Sequence, residues 1–193
     1  MGPYCDFYNG HKPEEVPYII SEIEKLYHLG VVVPAESSMD QVLSPIFLTD
    51  KKDGSKRMIL NLKRLNRYIE YQHFKMEGLN TVKDLITQGC YLASVDLEKA
   101  YYSVPIHKEH RKYLRFEFQG STWEFTCLPN GLASAPRIFT KLMKIPFSSL
   151  RAKGLKSCIY IDDTCLFGDT FDECKRNVDA TVTSMQLAGF FHK

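Results

Sequence analysis

The sequence predicts an α+β fold built on antiparallel sheet. Patterns typical of strands and of helices alternate along the 193 residues, and several neighbouring strand patterns are separated by only a short turn. Short turns join antiparallel strands, whereas parallel strands need long crossover connections. We therefore expect antiparallel sheet with helices packed against it, and not a doubly wound parallel sheet.

The first third of the chain predicts one helix and one hairpin. Residues 13–30 carry apolar side chains at helical spacing, and Gly30 is a C-terminal stop signal. Strands are predicted at 45–50 and 57–62, joined by a turn that contains an Asp-Gly pair at 53–54. The apolar stripe of the helix consists of Ile19, Ile20, Ile23, Leu26 and Tyr27.

The middle of the chain predicts a short helix, a strand and a second hairpin. We expect the helix at about 81–88, ended by Gly89, and the strand at 91–96. The hairpin is expected near 116–127, with its turn at residues 119–120. These elements add further antiparallel pairing to the predicted fold.

The last third predicts two longer helices. Ser134 is suited to cap the first, with Pro136 in its first turn, where the fixed φ of proline is favourable. Thr170 and Glu173 have the spacing of a capping box before the second helix, and Gly189 follows its end. The expected buried face of this second helix consists of Phe171, Cys174, Val178, Val182 and Met185.

Composition excludes several classes of protein. A hydrophobic content of 44% and a charged content of 25% are ordinary for globular chains, and the net charge of +2 does not indicate a globally basic nucleic-acid binder. The six cysteines form no Cys-x-x-Cys pair, which favours reduced, packed thiols. We find no apolar run long enough to span a membrane and no signal peptide, so we expect an intracellular protein of the cytoplasm or nucleus.

Two adjacent carboxylates lie in a predicted strand–turn–strand. Residues 158–168 place Asp162 and Asp163 at the turn between two β-branched and aromatic runs. Two such carboxylates repel each other, and a third acid with hard cations between them would relieve the repulsion. An Asp-Asp pair by itself is also typical of a solvated turn.

The third acid is Asp96, at the end of the predicted strand 91–96. A carboxylate at a strand end is well placed to face a neighbouring hairpin turn. Asp96, Asp162 and Asp163 could then share two Mg²⁺ ions about 3.5–4 Å apart, as in displacement reactions at phosphorus, with Mn²⁺ as an alternative. Taken alone, Asp96 also fits a helix cap or a salt bridge.

Basic side chains accumulate on the first hairpin and again near residue 110. On the hairpin, Arg57 is suited to chelate a phosphate and Lys52 to act as a point charge, while we favour a solvated surface for Lys56, Lys63 and Arg64. The second group fits either a nucleic-acid backbone or ordinary surface. It consists of His107, Lys108, His110, Arg111, Lys112 and Arg115.

Four segments in this order resemble the polymerase domain of reverse transcriptases. Residues 48–66 resemble the fingers motif, 94–106 the first catalytic motif, 128–136 the second and 160–163 (Tyr-Ile-Asp-Asp) the third. Details at residues 73–77, 105–116 and 135–141 are most similar to DIRS-type retrotransposons. The resemblance covers nearly the whole chain and implies an RNA-directed DNA polymerase, a nucleotidyltransferase that uses two Mg²⁺ ions.

The resemblance also implies a domain organisation. Fingers would comprise about residues 1–71 and 104–134. The palm, an antiparallel sheet backed by helices, would comprise about 72–103 and 135–193. The expected partners are an RNA or DNA template with its primer and deoxynucleoside triphosphates, with no membrane. The thumb is absent from the sequence and no RNase H segment follows, so we expect these to be downstream segments of a parent polyprotein.

Site residues follow from the same resemblance. The catalytic acids would be Asp96, Asp162 and Asp163, and the carbonyl of Leu97 would complete the shell of one metal ion. The incoming triphosphate would contact Arg57, Lys52 or Lys51, and the amides of Lys99 and Ala100. Further nucleotide contacts are expected from Tyr101, Asn130 and Gly131, and Tyr160 would lie near the primer end.

Two of these positions have additional features. Tyr101 would exclude a ribose 2′-hydroxyl, a role compatible with that of a core aromatic residue. Asn130 stands where the family usually has phenylalanine or glutamine.

One alternative to the polymerase is a truncated, catalytically silent remnant that binds nucleic acid or protein, and another is a magnesium phosphohydrolase.

Overall fold

Two compact units make up the chain in the computed structural model, which describes residues 10–50, 54, 56–97 and 99–190. The first unit combines residues 1–71 with 104–135, and the second combines 72–103 with 136–193. Helices and antiparallel strands occur in both, which confirms the predicted α+β class. Within the described residues, no helix is long and apolar enough to cross a membrane.

Among its described residues, the first unit contains one α-helix and two antiparallel sheets. Helix α1 is Val16–His28, and the strands are β1 (Val32–Pro34), β2 (Ile46–Asp50), β3 (Lys56–Leu60), β5 (Arg115–Phe118) and β6 (Ser121–Phe125). One sheet has the order β1-β6-β5, and β2 pairs with β3. The predicted hairpins are confirmed, and residues 51–53 and 55 of the first turn lie outside the described residues.

The described part of the second unit contains one three-stranded sheet and three α-helices. These are α2 (Leu79–Leu85), β4 (Tyr91–Asp96), α3 (Ala135–Ala152), β7 (Lys156–Tyr160), β8 (Asp163–Gly168) and α4 (Phe171–Leu187), with α3 beginning at the unit boundary. The sheet order is β4-β8-β7, antiparallel throughout. The core of this unit includes Phe139, Met143, Phe147, Leu166 and Met185.

Two predicted helix boundaries and one side chain of an apolar stripe were wrong. Helix α1 begins at Val16 and not at residue 13, because Pro17 is tolerated only in a first turn. Helix α2 ends at Leu85 because the backbone of Ile86 is extended, so Gly89 belongs to a later turn. Tyr27, expected in the buried stripe of α1, is exposed.

Helix α4 begins as predicted but buries a more polar face. Its N-cap Thr170 accepts a hydrogen bond from the amide of Glu173, while the Glu173 carboxylate accepts one from the amide of Asp169. Phe171, expected in the core, is exposed, and Asn177 is buried instead. The Asn177 amide donates to two strand-end carbonyls, which a hydrophobicity pattern cannot reveal.

Candidate active site

The predicted strand–turn–strand around the two adjacent aspartates is confirmed. Strands β7 and β8 are joined by Ile161 and Asp162, and Ile161 has a positive φ of 58°. Tyr160 and Asp163 face each other as the pair that closes the hairpin. Asp162 therefore lies in the turn, whereas Asp163 is the first residue of β8.

Asp96 reaches the same end of the sheet by strand pairing. It is the last residue of β4 and lies directly opposite Asp163 in the β4–β8 ladder. The amide of the next residue, Leu97, donates to the carbonyl of Asp162 at 3.3 Å. The backbone thus brings all three aspartates together, with Asp162 and Asp163 exposed and Asp96 half-buried.

The side chains at this end do not form a ready-made ligand set. Over the described part of the chain, no group of three or more His, Cys, Asp or Glu side chains is arranged so that it could hold a metal ion. What the structure shows is a shared location, with oxygen donors of the chemical type that Mg²⁺ prefers.

Tyr101 lies near the aspartates and packs against the core of the second unit. Its ring meets that of the fully buried Phe139 edge to face, with centroids 5.5 Å apart. Burial raises the pKa of the Tyr101 hydroxyl, and the nearby charges of Asp162 and Tyr160 raise it further. The phenol is therefore neutral at physiological pH and lies within electrostatic reach of the turn.

The segment before Tyr101 is sharply bent. Lys99 has a positive φ of 53° and its carbonyl accepts a hydrogen bond from the amide of Tyr102. Ala100 is buried at the start of a 3-10 helix that spans Ala100–Ser103. The predicted binding role of the Lys99 and Ala100 amides stays a prediction.

In the first unit, Asn130 and Gly131 lie at the exposed tip of a turn with buried flanks. Leu128 and Leu132 are buried on either side, and Gly131 has a positive φ of 92°. Asn66 holds the tip: its Nδ2 donates to the carbonyl of Gly131 and its Oδ1 accepts from the amide of Ala133, both at 2.8 Å.

The sequence alone predicts no role for Asn66, although this residue ends the fingers-like segment 48–66. A side-chain amide offers a donor and an acceptor at once, which is what a turn with one free carbonyl and one free amide requires. No local signal links position 66 to a turn 65 residues later. The structure therefore adds Asn66 to the residues that shape the predicted nucleotide contact.

The basic residues of the first hairpin divide into two groups. Lys56 pairs with Asp50 at 2.9 Å, in agreement with the surface role favoured from the sequence. Arg57 is exposed on β3, opposite Thr49. Lys51 and Lys52 lie outside the described residues, so their predicted phosphate contacts stay predictions.

Some of the basic side chains near residue 110 make contacts within the first unit. The guanidinium of Arg111 donates to the carbonyl of Ile106, and Lys112 pairs with Asp40. Arg115 pairs with Glu124 at 2.8 Å and also donates to the 36–41 segment. These contacts favour a structural role for three of the six basic side chains.

The described cysteines are all free. Cys127, Cys158 and Cys174 are buried. Burial raises the pKa of the Cys127 thiol to about 11, which keeps it protonated at physiological pH. These thiols act as small packing groups, like other buried cysteines.

Comparison with protein families identifies the chain. Residues 49–191 match the model of the family described as "Reverse transcriptase (RNA-dependent DNA polymerase)". The chain belongs to this family. The match covers β3, the strand that carries Asp96 and the hairpin that carries Asp162 and Asp163.

Individual Pol polyproteins are similar to this chain over most of its length. The Retrovirus-related Pol polyprotein from transposon 412 of Drosophila melanogaster is 24% identical over 160 residues, which cover 80% of this chain and 12% of that protein. The Gag-Pol polyprotein of Walleye dermal sarcoma virus is 27% identical over 186 residues, which cover 94% of this chain and 10% of that protein. The chain thus spans about a tenth of the length of either relative.

Solved structures show the same fold. The native Protease-Reverse Transcriptase of Prototype Foamy Virus superposes with a TM-score of 0.83 at 23% identity, covering 100% of this chain and 25% of that one. The foamy viral enzyme in complex with an RNA/DNA hybrid gives a TM-score of 0.84 at 21% identity, with the same coverage. The chain is a reverse transcriptase domain of the kind found within retroelement and retroviral Pol polyproteins, and it corresponds to part of the solved enzymes.

Proposed function

We propose that this chain is the catalytic core of an RNA-directed DNA polymerase that transfers deoxynucleotides to a primer 3′-hydroxyl. The observation that carries the proposal is the strand register that sets Asp96 opposite Asp163, beside the turn that contains Asp162. Three acids at one end of a sheet, in a chain of this family, are suited to phosphoryl transfer.

The donor set fits divalent magnesium. Asp96, Asp162 and Asp163 supply carboxylate oxygens and Leu97 supplies a carbonyl, and hard cations such as Mg²⁺, or Mn²⁺, bind oxygen. Two bound ions would lower the pKa of the attacking hydroxyl and stabilise charge on the leaving oxygens. The chain's own part is to hold these carboxylates at the sheet end where primer and nucleotide meet.

Substrate residues are assigned within each unit. Arg57 and Lys52 of the first unit would bind the triphosphate, with Asn130 and Gly131 contacting the nucleotide. In the second unit, the amides of Lys99 and Ala100 would bind the triphosphate and Tyr101 would exclude a 2′-hydroxyl. Tyr160, half-exposed and opposite Asp163, would contact the primer end.

We also propose roles for the two units, a template, an origin and a location for the chain. The first unit would serve as fingers and the second as palm, acting on an RNA or DNA template with its primer. The segments at 73–77, 105–116 and 135–141 support a DIRS-type origin. The chain would act inside the cell as one part of a polyprotein that also carries thumb and RNase H segments.

Magnesium-dependent incorporation of dTTP on an oligo(dT)-primed poly(rA) template tests the proposal, with Asp163→Ala beside the wild type. We expect incorporation by the wild type and only background by the variant, because one of the three acids is gone. Asp169→Ala is the matched control: it removes an exposed carboxylate just beyond the opposite end of the same strand. That control should retain wild-type incorporation.

The other outcomes favour other functions. A wild-type chain that binds the primed template but incorporates nothing would contradict the proposal and favour a catalytically silent nucleic-acid-binding remnant. Release of phosphate from dTTP without a template would favour a phosphohydrolase. An equal loss of incorporation in Asp163→Ala and Asp169→Ala would contradict a specific catalytic role for the end of the sheet that carries Asp163.

A further inference from the structure

The strand that leads into the Ile161–Asp162 turn is an outer strand. In the order β4-β8-β7, β7 pairs with β8 on one side, and no other described strand pairs with its opposite side. Outer strands present unpaired amides and carbonyls that need partners. On β7 two such groups, the Ser157 carbonyl and the Ile159 amide, lie just before Tyr160 and the turn.

Two side chains satisfy both groups: Glu77 is distant in sequence from β7, whereas Arg151 lies six residues before Ser157. The Glu77 carboxylate accepts a hydrogen bond from the amide of Ile159 at 2.9 Å. Arg151, near the end of α3, donates to the carbonyl of Ser157 and to its hydroxyl, both at 3.0 Å. The pair therefore supplies to β7 what a neighbouring strand would supply.

The two side chains also orient each other. Arg151 and Glu77 form a two-point ion pair, with nitrogen–oxygen distances of 2.6 and 2.7 Å. The Glu77 side chain is 24% exposed and that of Arg151 is 36% exposed, so both are partly screened from solvent. A paired guanidinium and carboxylate have few alternative geometries, which fixes the strand edge that they hold.

The ionisation of Glu77 agrees with this geometry. Burial raises the pKa of Glu77, but the hydrogen bonds from Arg151 and from the Ile159 amide outweigh burial and hold the pKa below its ordinary value. Glu77 is therefore ionised at physiological pH and available as the acceptor.

We propose that the Glu77–Arg151 pair is a positioning device that holds β7 in register so that the Ile161–Asp162 turn presents its carboxylates for catalysis. The inference rests on the proposed polymerase function, because the turn has a catalytic role only there. It also accounts for Glu77 within the 73–77 segment, to which sequence analysis assigned no role. Neither side chain touches substrate in this account, so both act through the turn.

Steady-state kinetics of the same dTTP assay test the device. Glu77→Ala removes both contacts of the carboxylate and should lower kcat by about tenfold or more, since small misplacements of catalytic groups cost that much. The KM for dTTP should stay within about twofold, because the pair holds the catalytic turn and not the nucleotide. Glu77→Gln retains an acceptor for the Ile159 amide and should restore part of kcat.

A charge swap distinguishes the hydrogen bonds that the pair makes to the β7 backbone from the ion pair between the two side chains. The double variant Glu77→Arg with Arg151→Glu retains opposite charges but sets a cation against the Ile159 amide and a carboxylate against the Ser157 carbonyl. We expect kcat to stay as low as in Glu77→Ala. Recovery of wild-type kcat by the swap would overturn the proposal, because it would show that only the ion pair matters.

Lys156→Gln is the matched control for the loss of a charge. It removes an exposed ion pair with Asp169 in the same unit, and that pair makes no hydrogen bond to the turn. This variant should have wild-type kcat. A fall in kcat equal to that of Glu77→Ala would show a general effect of charge and would contradict the positioning role.

Amide hydrogen exchange keeps this test separate from the polymerase test. Glu77→Ala should speed exchange of the Ile159 amide and of the hairpin amides next to it, while exchange in α4 stays unchanged. An inactive wild type with this local change would contradict the polymerase proposal, while the change itself would still show that the pair holds β7. Unchanged exchange at Ile159 would overturn the positioning proposal, whatever the activity.

Discussion

The Ile161–Asp162 turn of the second unit and the Asn130–Gly131 turn of the first unit are both held by side chains from outside the turn. Glu77 and Arg151 bind the strand edge that leads into the first turn. Asn66 binds the tip of the second turn directly, through Gly131 and Ala133. In both places one donor and one acceptor match a free carbonyl and a free amide.

The difference between the two supports is charge. The pair at β7 consists of an ionised carboxylate and a guanidinium, whereas the support of the Asn130–Gly131 turn is a single neutral amide. Charged hydrogen bonds are stronger and respond to pH, while an amide does not titrate. We therefore expect the stability contributed by the Glu77–Arg151 pair to depend on pH. The stability contributed by Asn66 should not depend on pH.

The largest effect is expected at the base of the hairpin, where backbone packing and not a side chain supports the strand. A Cβ atom at Gly168 would lie 2.2 Å from the amide nitrogen of Cys174 and 2.7 Å from its Cα, both in the first turn of α4. Gly168→Ala should therefore lower the free energy of unfolding by about 3 kcal/mol, because the helix must shift. Urea denaturation measures this change.

Gly154→Ala is the control for that prediction. Gly154 has a positive φ of 82° but no atom within 4 Å of an added Cβ, so only backbone strain is expected, at about 1 kcal/mol. If Gly168→Ala were no more destabilising than Gly154→Ala, the base of the hairpin would not be a rigid support. The comparison would then rest on the Glu77–Arg151 pair alone.

A smaller effect is expected at Asn66. Asn66→Ala removes two hydrogen bonds at an exposed turn, where water can replace them, so the loss of stability should be about 1 kcal/mol. The KM for dTTP should rise by about tenfold if Asn130 and Gly131 bind the nucleotide. Thermal unfolding and the dTTP assay measure the two quantities.

Asn61→Ala is the matched change in the same segment. Among the described residues, the Asn61 side chain accepts one local hydrogen bond, from the amide of Lys63. Its KM should equal that of the wild type, while Asn66→Asp, which retains only the acceptor, should fall between wild type and Asn66→Ala. A KM for dTTP that does not change in any Asn66 variant would contradict the positioning of the turn by Asn66.

The smallest effect is expected from acid. The folded-state pKa of Glu77 is lowered from its ordinary value of 4.5, so its contribution to stability is complete above that value and is lost as pH falls through the folded-state pKa. The charged groups that act on it, Arg151 and Lys144, are both cationic. The difference in unfolding free energy between wild type and Glu77→Gln should therefore shrink below about pH 4.5.

Urea denaturation over this pH range checks the acid prediction. The corresponding difference for Asn66→Ala should stay constant, because an amide has no charge to lose. If the difference in unfolding free energy between wild type and Glu77→Gln also stayed constant with pH, the two supports would not differ in their electrostatics.

Much of this protein was determined by local sequence. Short apolar, β-branched and aromatic runs specify β4, β7 and β8. Gln119 and Gly120 both adopt the positive φ values that a tight hairpin turn needs, and Thr170 caps α4. These signals act over a few residues, so they can be recognised without a structure. The order of the four motifs also indicated the reverse transcriptase family before any geometry was known.

Only the tertiary structure decided how distant residues meet. The pairing of Asp96 with Asp163, the contact of Asn66 with a turn 65 positions later and the Glu77–Arg151 support of β7 all join segments that no local pattern connects. The burial of Asn177 and the exposure of Phe171 have the same origin. Local propensity determines which helices and strands form. The distant side chains that hydrogen-bond to free backbone groups at strand edges and turns come into contact with them only in the folded chain.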